Sequence, residues 1–349
     1  MLRPARLFLH RVVLSTGWRA GIPQTVDSSR LGDVTPLTLL RRDELLDAIT
    51  PRQLTAAVAT GALTRLRLGV YVESTAWNAA KPEARVVARA QALALSCPTP
   101  PVVSHETAAA SHGLPLYRAD RHRVHVITPR ARPGAAGGVI RHRGELAEGE
   151  VIEIDGLRVT SLVRTVSDVA RTATFEQAVT VADAALRQQF VTGPDEYDFE
   201  GAERFRQESL TIAGRSAHGL TRARRVLEFA DGRAQLPGES ISRIRLREIG
   251  FRTIRLQVAV PGRGMHPYYV DFGLEDANAF GEFDGAIKYV DGKILDGRTS
   301  SQVFDEEKQR EDWIRGTTQR SYARWGWPHL ATAADLRARL EDFSIRPPR

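Results

Sequence analysis

The chain has 349 residues, of which 42% are apolar and 26% charged, with a formal net charge of +7. That length accommodates two or three domains, and the balance is that of an ordinary globular protein, which excludes a low-complexity or fibrous chain. Four of the 49 basic residues are lysines (Lys81, Lys288, Lys293 and Lys308) and the remaining 45 are arginines, so the charge suits a polyanionic partner onto whose phosphates guanidinium groups can fork.

Cys97 stands alone, which rules out an intrachain disulfide and a cysteine-rich zinc site, and a reducing cytoplasm is the expected location. The apolar run from Leu7 to Leu14 is too short and too interrupted to span a bilayer or to serve as a signal peptide, so no membrane partner is expected. Residues 1–36 are read as disordered, or as an over-extended start of the reading frame.

Residues 37–75 carry the first pattern. Leu45, Leu46 and Ile49 face inward on a short helix, and Thr50 caps a second helix with Pro51 at its first position. Leu54, Ala57 and Val58 form the second helix's apolar stripe. After Gly61, the alternation from Leu63 to Val72 reads as a basic two-stranded ribbon. Helix, turn, helix and ribbon make a winged helix-turn-helix, in which the second helix enters a major groove and the wing approaches the backbone. Arg52, Gln53, Arg65 and Arg67 are the groups expected at DNA. The phrase from Gly61 to Tyr71 resembles the N-terminal domain of AbiEi-type antitoxins of type IV toxin–antitoxin systems. That resemblance implies a promoter-binding domain and a cognate toxin as partner.

The region 76–190 reads as mixed α+β: a helix over 81–96, short strands at 124–128, 139–143, 152–154 and 157–161, then helices over 164–171 and 175–189. His105, His112, His122, His125 and His142 fall here. Metal binding is conceivable, but no pair has the i, i+4 spacing of a His-Glu-x-x-His site. The phrases Ser104-His105-Glu106-Thr107-Ala108-Ala109 and Thr160 to Asp168 resemble the middle region of the AbiEi-like proteins. Residues 191–236, polar and basic, read as a helical linker.

Residues 237–335 hold the chemistry, and 336–349 read as a tail. A helix over 239–249, closed by Gly250, has Ile241, Ile244 and Ile249 inward and Arg243, Arg245 and Arg247 outward. Strands at 253–260, 268–274 and 279–284 precede a charged helix over 304–315 and a last strand at 321–325. Alternation places Val270, Phe272 and Leu274 on one face and Asp271 on the other. Carboxylates inside apolar strands need cationic compensation, and hard oxygen ligands suit Mg²⁺ or Mn²⁺. If their strands are adjacent, Asp271 and Glu282 converge on such an ion.

The run Glu239 to Trp327 resembles the PD-(D/E)XK restriction-endonuclease-like superfamily, in its branch related to very-short-patch-repair endonucleases. The resemblance rests on a glutamate-started helix, Val270-Asp271-Phe272, Glu282-Phe283-Asp284-Gly285 and the helix with Glu307-Lys308-Gln309-Arg310-Glu311-Asp312. It implies Asp271 and Glu282 as metal ligands, with Glu239 as an outer one. The superfamily's lysine position holds Asp284 instead, so Asp284 or Lys288 is left to orient water and phosphate. The expected architecture is therefore α/β (α+β, multidomain), with a winged helix-turn-helix, a mixed middle region and an αβββαβ endonuclease-like core. Two functions compete: a Mg²⁺- or Mn²⁺-dependent endodeoxyribonuclease and a non-catalytic antitoxin-like regulator. A small-molecule enzyme is disfavoured, because the chain has no P-loop, dinucleotide fingerprint or nucleophile elbow.

Overall fold

The computed structural model describes residues 37–129, 132–193, 195–285 and 300–348, with 300–304 in backbone only. The expectations for residues 1–36 and for Lys288 lie outside the described residues. The chain is mixed α/β and forms two units, one of residues up to Gly113 with Asp120–Thr160, the other of Leu114–Ala119 with Ser161 onward.

The first unit begins with β1 (Leu39–Arg41), α1 (Arg42–Ala48), α2 (Pro51–Ala59), β2 (Leu63–Arg67) and β3 (Val70–Glu73). Thr50 caps α2 as its sequence dictates. Its hydroxyl accepts from Gln53 N at 3.3 Å, and Gln53 Oε1 accepts from Thr50 N at 2.8 Å, a reciprocal capping box. The β2–β3 hairpin turns at Gly69, whose φ of 78° suits a residue without a Cβ. A third strand, not foreseen, completes the sheet in the order β1-β3-β2.

Leu45, Leu54, Leu63 and Tyr71 form the core of this motif. It does not end at residue 75. Val72 packs with Trp77 of α3 (Ser74–Ala79) and with Ala88 of α4 (Pro82–Leu95). Ala90 and Leu93 of α4 join a second core with Val103, Val126 and Val159. The elements β4 (Val102–Val103), α5 (His105–Ser111), β5 (Val124–Thr128), β6 (Gly134–Ala136), β7 (Val139–Arg143), β8 (Val151–Ile154) and β9 (Leu157–Thr160) follow. Their six strands make one mixed sheet, ordered β6-β7-β5-β4-β9-β8.

The second unit contains α6 (Leu162–Thr172) and α7 (Phe175–Phe190), which were expected to belong to the middle region. A short β10–β11 pair (Val191–Gly193 with Glu196–Tyr197) leads to α8 (Phe199–Ala213) and α9 (Leu220–Phe229). This stretch is no linker. Ala202, Phe205, Ala213, Ala223, Val226 and Leu227 are all buried, so its polar composition marks one solvated face of packed helices.

Next come α10 (Pro237–Ile249), β12 (Ile254–Val260), β13 (Tyr268–Leu274), β14 (Ala279–Phe283), α11 (Ser300–Thr318) and β15 (Ser321–Trp325), the expected αβββαβ order. The sheet runs β12-β13-β14-β15, antiparallel except that β15 is parallel to β14. A parallel neighbour needs a crossover connection, and α11 supplies it. The expected tail is instead structured: α12 (Ala333–Glu341) buries Leu336 and Leu340, and Ile345 beyond it is buried too.

The arginines of α10 also depart from expectation. Only Arg247 is exposed; Arg243 and Arg245 are 6% and 8% accessible. Packing on more than one side of α10 leaves these charges no route to water, so they are paired. Arg245 lies 3.2 Å from Glu176 and 2.8 Å from Glu248. Arg243 sits 3.6 Å from Asp183 and 3.8 Å from Asp231, over the Phe229 ring.

Asp183 itself is 1% exposed and accepts from Asp231 N at 2.7 Å and from Ser240 Oγ at 2.8 Å. Burial outweighs Arg243 and these hydrogen bonds and pushes its pKa up to about 6. The folded chain thus holds this proton more tightly than the unfolded chain does. The stabilisation is complete below about pH 4 and is lost as pH rises through about 6. Urea midpoints across that window should fall with pH in the wild type and fall less in Asp183→Asn; parallel curves would remove Asp183 as the source.

Candidate acidic site

Two glycines bring the elements of the site together. A Cβ on Gly238, the second residue of α10, would lie 2.1 Å from the Phe283 ring. A Cβ on Gly281 would lie 2.2 Å from the Trp325 indole. Helix and sheet therefore approach more closely than any side chain would allow, and Trp325 Nε1 donates to Ser242 Oγ at 2.7 Å. This contact seats Glu239 in the first turn of α10, 2% exposed, over the sheet.

Glu239 Oε2 accepts from Gln235 N at 2.8 Å and from Gln257 Nε2 at 3.2 Å. The same Gln257 Nε2 makes a long contact of 3.5 Å with Asp271 Oδ1, and Asp271 Oδ2 accepts from Phe283 N at 2.9 Å. One amide group thus serves two carboxylates. Gln257 Oε1 in turn accepts from Gln235 Nε2 at 2.9 Å. Neither glutamine was singled out from the sequence.

Simple alternation fails at Asp271. Val270 packs with Phe280, Tyr322 and Ile314 of α11, whereas Phe272 stacks on Trp325 at 5.5 Å, on the α10 side. Val270 and Phe272 therefore face opposite layers, and β13 changes side at Asp271. The ladder pairs Leu256 with Phe272 and Val258 with Val270, which puts Gln257 opposite Asp271. Gln257 takes a left-handed φ of 49°, a conformation that costs a non-glycine residue roughly 1–2 kcal/mol. Such an outlier persists only where its surroundings over-determine it, most often at functional positions. The paired bend turns both polar side chains toward Glu239.

Glu282, 9% exposed, has different company. Its Oε1 accepts from Arg310 Nη2 at 2.7 Å, and its Oε2 lies 3.2 Å from Arg324 Nη2. Arg310 also pairs with Glu307 at 2.9 Å and Arg324 with Glu311 at 3.1 Å, and Arg324 contacts Glu307 as well. Burial acts against both guanidinium charges, yet the hydrogen bonds and field of the carboxylates raise their pKa above the ordinary arginine value. The cation beside Glu282 is therefore arginine from α11 and β15. Lys308 is exposed, and Asp284 follows β14 with its backbone N donating to Trp325 O at 2.8 Å.

The expected ligand set is thus brought to one region but divided between two environments. Glu239 and Asp271 share Gln257, while Glu282 is clamped by Arg310 and Arg324. Among the described residues, the group of three whose ligand atoms lie within 4.8 Å of one another is His105, His125 and His142, not these carboxylates. Glu239 and Asp271 offer hard oxygen donors of the kind Mg²⁺ or Mn²⁺ takes, with the Gln257 amide between them. Both carboxylate oxygens of Glu282 are engaged by guanidinium groups.

In the first unit, Arg52 and Arg65 are exposed and Arg67 is half-buried, with Leu68 at the hairpin tip 87% accessible. Gln53 is exposed, but its side-chain oxygen is spent on Thr50. Its role in α2 is capping.

No family model matches the chain. Two proteins of Mycobacterium tuberculosis, from strains CDC 1551 and H37Rv, are each 27% identical to it over 236 residues, or 68% of this chain and 79% of the relative. Both are described as uncharacterized, so the likeness brings no activity with it. No helix among the described residues is long and apolar enough to cross a membrane.

Proposed function

We propose that the protein acts on DNA, with a divalent-metal phosphodiesterase centre built on Asp271 and Glu239 and completed by Glu282 and Asp284. The observation that carries this reading is the Glu239–Gln257–Asp271 bridge at the strained bend of β13, inside an αβββαβ core. Asp271 and Glu239 would hold Mg²⁺ or Mn²⁺, which supplies an acidified water and offsets charge on the phosphate. Arg310 and Arg324 anchor Glu282 beside them and offset part of the carboxylate charge of Glu282, Glu307 and Glu311. Lys288, the other cation suggested for the phosphate, is outside the described residues. Incubation with plasmid, linear and nicked DNA in Mg²⁺ or Mn²⁺ tests the reading. The wild type is expected to cut; equal cutting by an Asp271→Ala/Glu282→Ala variant would sink the assignment.

A second reading is a non-catalytic regulator, antitoxin-like, that binds DNA or a cognate toxin. It is favoured by the same Arg310–Glu282–Arg324 cluster, which neutralises Glu282 without any metal. Both readings place duplex DNA against α2 and the β2–β3 wing. Alanine at Arg52, Arg65 and Arg67 together is expected to weaken DNA binding and to reduce the log K against log salt slope by about 2–3, roughly 0.9 for each phosphate no longer neutralised. Unchanged affinity and slope would show that the wing does not meet the backbone.

A further inference from the structure

The first unit contains a second polar constellation that the acidic site does not use. His105 opens α5, His125 lies on β5 and His142 on β7, and one ring nitrogen of each lies within 4.8 Å of the others. His125 Nδ1 is 3.0 Å from His142 Nε2 and 3.1 Å from Glu106 Oε2. The His105 and His142 rings stack with centroids 3.5 Å apart, and His105 Nδ1 lies 2.9 Å from Ser104 Oγ. We propose that His105, His125 and His142, with Glu106 as fourth donor, bind one divalent transition ion of the borderline-soft class typified by Zn²⁺.

Two observations support this assignment. The first is spacing. Two imidazole nitrogens on a tetrahedral ion with bonds of about 2.0–2.1 Å stand about 3.3 Å apart, close to the His125–His142 separation of 3.0 Å.

The second concerns protons. His125 Nδ1 carries at most one hydrogen, yet both His142 Nε2 and Glu106 Oε2 approach it. Glu106 Oε2 is buried and has no hydrogen bond of acceptable geometry. A cation at the centre meets all three lone pairs at once, where a single proton meets one.

The environment also explains which ion fits. Three nitrogens and one carboxylate suit Zn²⁺ and its neighbours, whereas Mg²⁺ prefers an all-oxygen octahedron. His105 holds a left-handed φ of 52°, an uncommon backbone for a side chain of this size, at the point where the ring is delivered to the cluster. Thr107 Oγ1 accepts from His125 N at 2.9 Å and fixes the backbone of β5 beside it. The parallel stacking of His105 on His142 must open by a ring rotation when the ion enters.

The test uses the full-length, tag-free protein stripped with chelator and titrated with Co²⁺, read by visible absorption and then displaced with Zn²⁺. The expected result is saturation at one ion per chain, with the intense bands of a four- or five-coordinate centre, and a higher Tm with Zn²⁺. His105→Ala/His142→Ala is expected to lose the bands and weaken binding more than about 100-fold, a loss that even outer partners of metal ligands approach. Should that variant fail to fold by circular dichroism, His142→Gln and Glu106→Gln serve instead, each expected to shift or abolish the bands. The Asp271→Asn/Glu282→Gln variant is expected to keep them in full. Absence of bands in the wild type overturns the proposal, as do bands unaltered by the histidine changes. Bands lost only with the carboxylate changes would assign the ion to the acidic site instead.

Discussion

Asp271→Asn is expected to abolish metal-dependent DNA cleavage while leaving the fold essentially as stable as the wild type. The substitution keeps a side-chain oxygen that can accept from Phe283 N, the contact measured at 2.9 Å, so the tie between β13 and β14 survives. What it removes is the negative charge. On the proposed reading, this costs the centre a hard anionic ligand, and the loss of an activated water and of charge compensation is of order 10³-fold or more in rate. Asp271→Ala is expected to lose the same activity and a further 1–3 kcal/mol or so of stability, because Phe283 N is left without its acceptor. Nicking of supercoiled plasmid, run beside thermal melts, separates the two effects. Full activity in Asp271→Asn would remove Asp271 from the chemistry.

The second large effect falls on stability. Glu282→Ala leaves Arg310 and Arg324 facing each other across an emptied space, with side chains only 19% and 23% exposed. Removing one partner from a buried ion pair typically costs about 3–5 kcal/mol. Here Glu307 and Glu311 still hold both guanidiniums, so the lower end, about 3 kcal/mol, is expected. For a unit of this size that lowers Tm by about 6–12 °C. The sign is informative. A carboxylate kept only as a metal ligand would repel its neighbours in the metal-free protein, and its removal would be neutral or stabilising. Guanidinium melts in chelator therefore decide whether Glu282 is first an anchor for α11 and β15, with Arg310→Met/Glu282→Leu expected to recover most of the loss. A Glu282→Ala protein as stable as the wild type contradicts the clamp.

Much of the C-terminal core was legible because its signals are local. The strands 268–274 and 321–325 read correctly to the residue, and α10 was marked by Gly250 at its end, where φ is 111°, although it begins at Pro237, two residues before the expected start. The three isoleucines of α10 are buried as its periodicity requires. Misreadings arose where the outcome depends on distant partners. Arg243 and Arg245 read as solvated because nothing local announces Asp183 or Glu176. The helices over 199–229 read as a linker because their apolar stripe is narrow and flanked by charge.

The site divides the same way. Its carboxylates announce themselves as charges inside apolar strands. The bend at Asp271 does not, because it depends on the left-handed φ of Gln257 across the ladder. Arg310 lay within a motif that was noticed, yet its pairing with Glu282 spans the crossover and became visible only in three dimensions. The His105–His125–His142 group is the extreme case: one helix and two strands contribute to it, so no sequence spacing could reveal it.

A Mn²⁺ titration followed by electron paramagnetic resonance of the free ion tests whether the acidic site binds a hard divalent ion. Run with and without duplex DNA on the full-length protein, the wild type is expected to take up Mn²⁺. That uptake should survive His105→Ala/His142→Ala and disappear in Asp271→Asn/Glu282→Gln. Identical isotherms for wild type and the carboxylate variant would show that the acidic site holds no such ion.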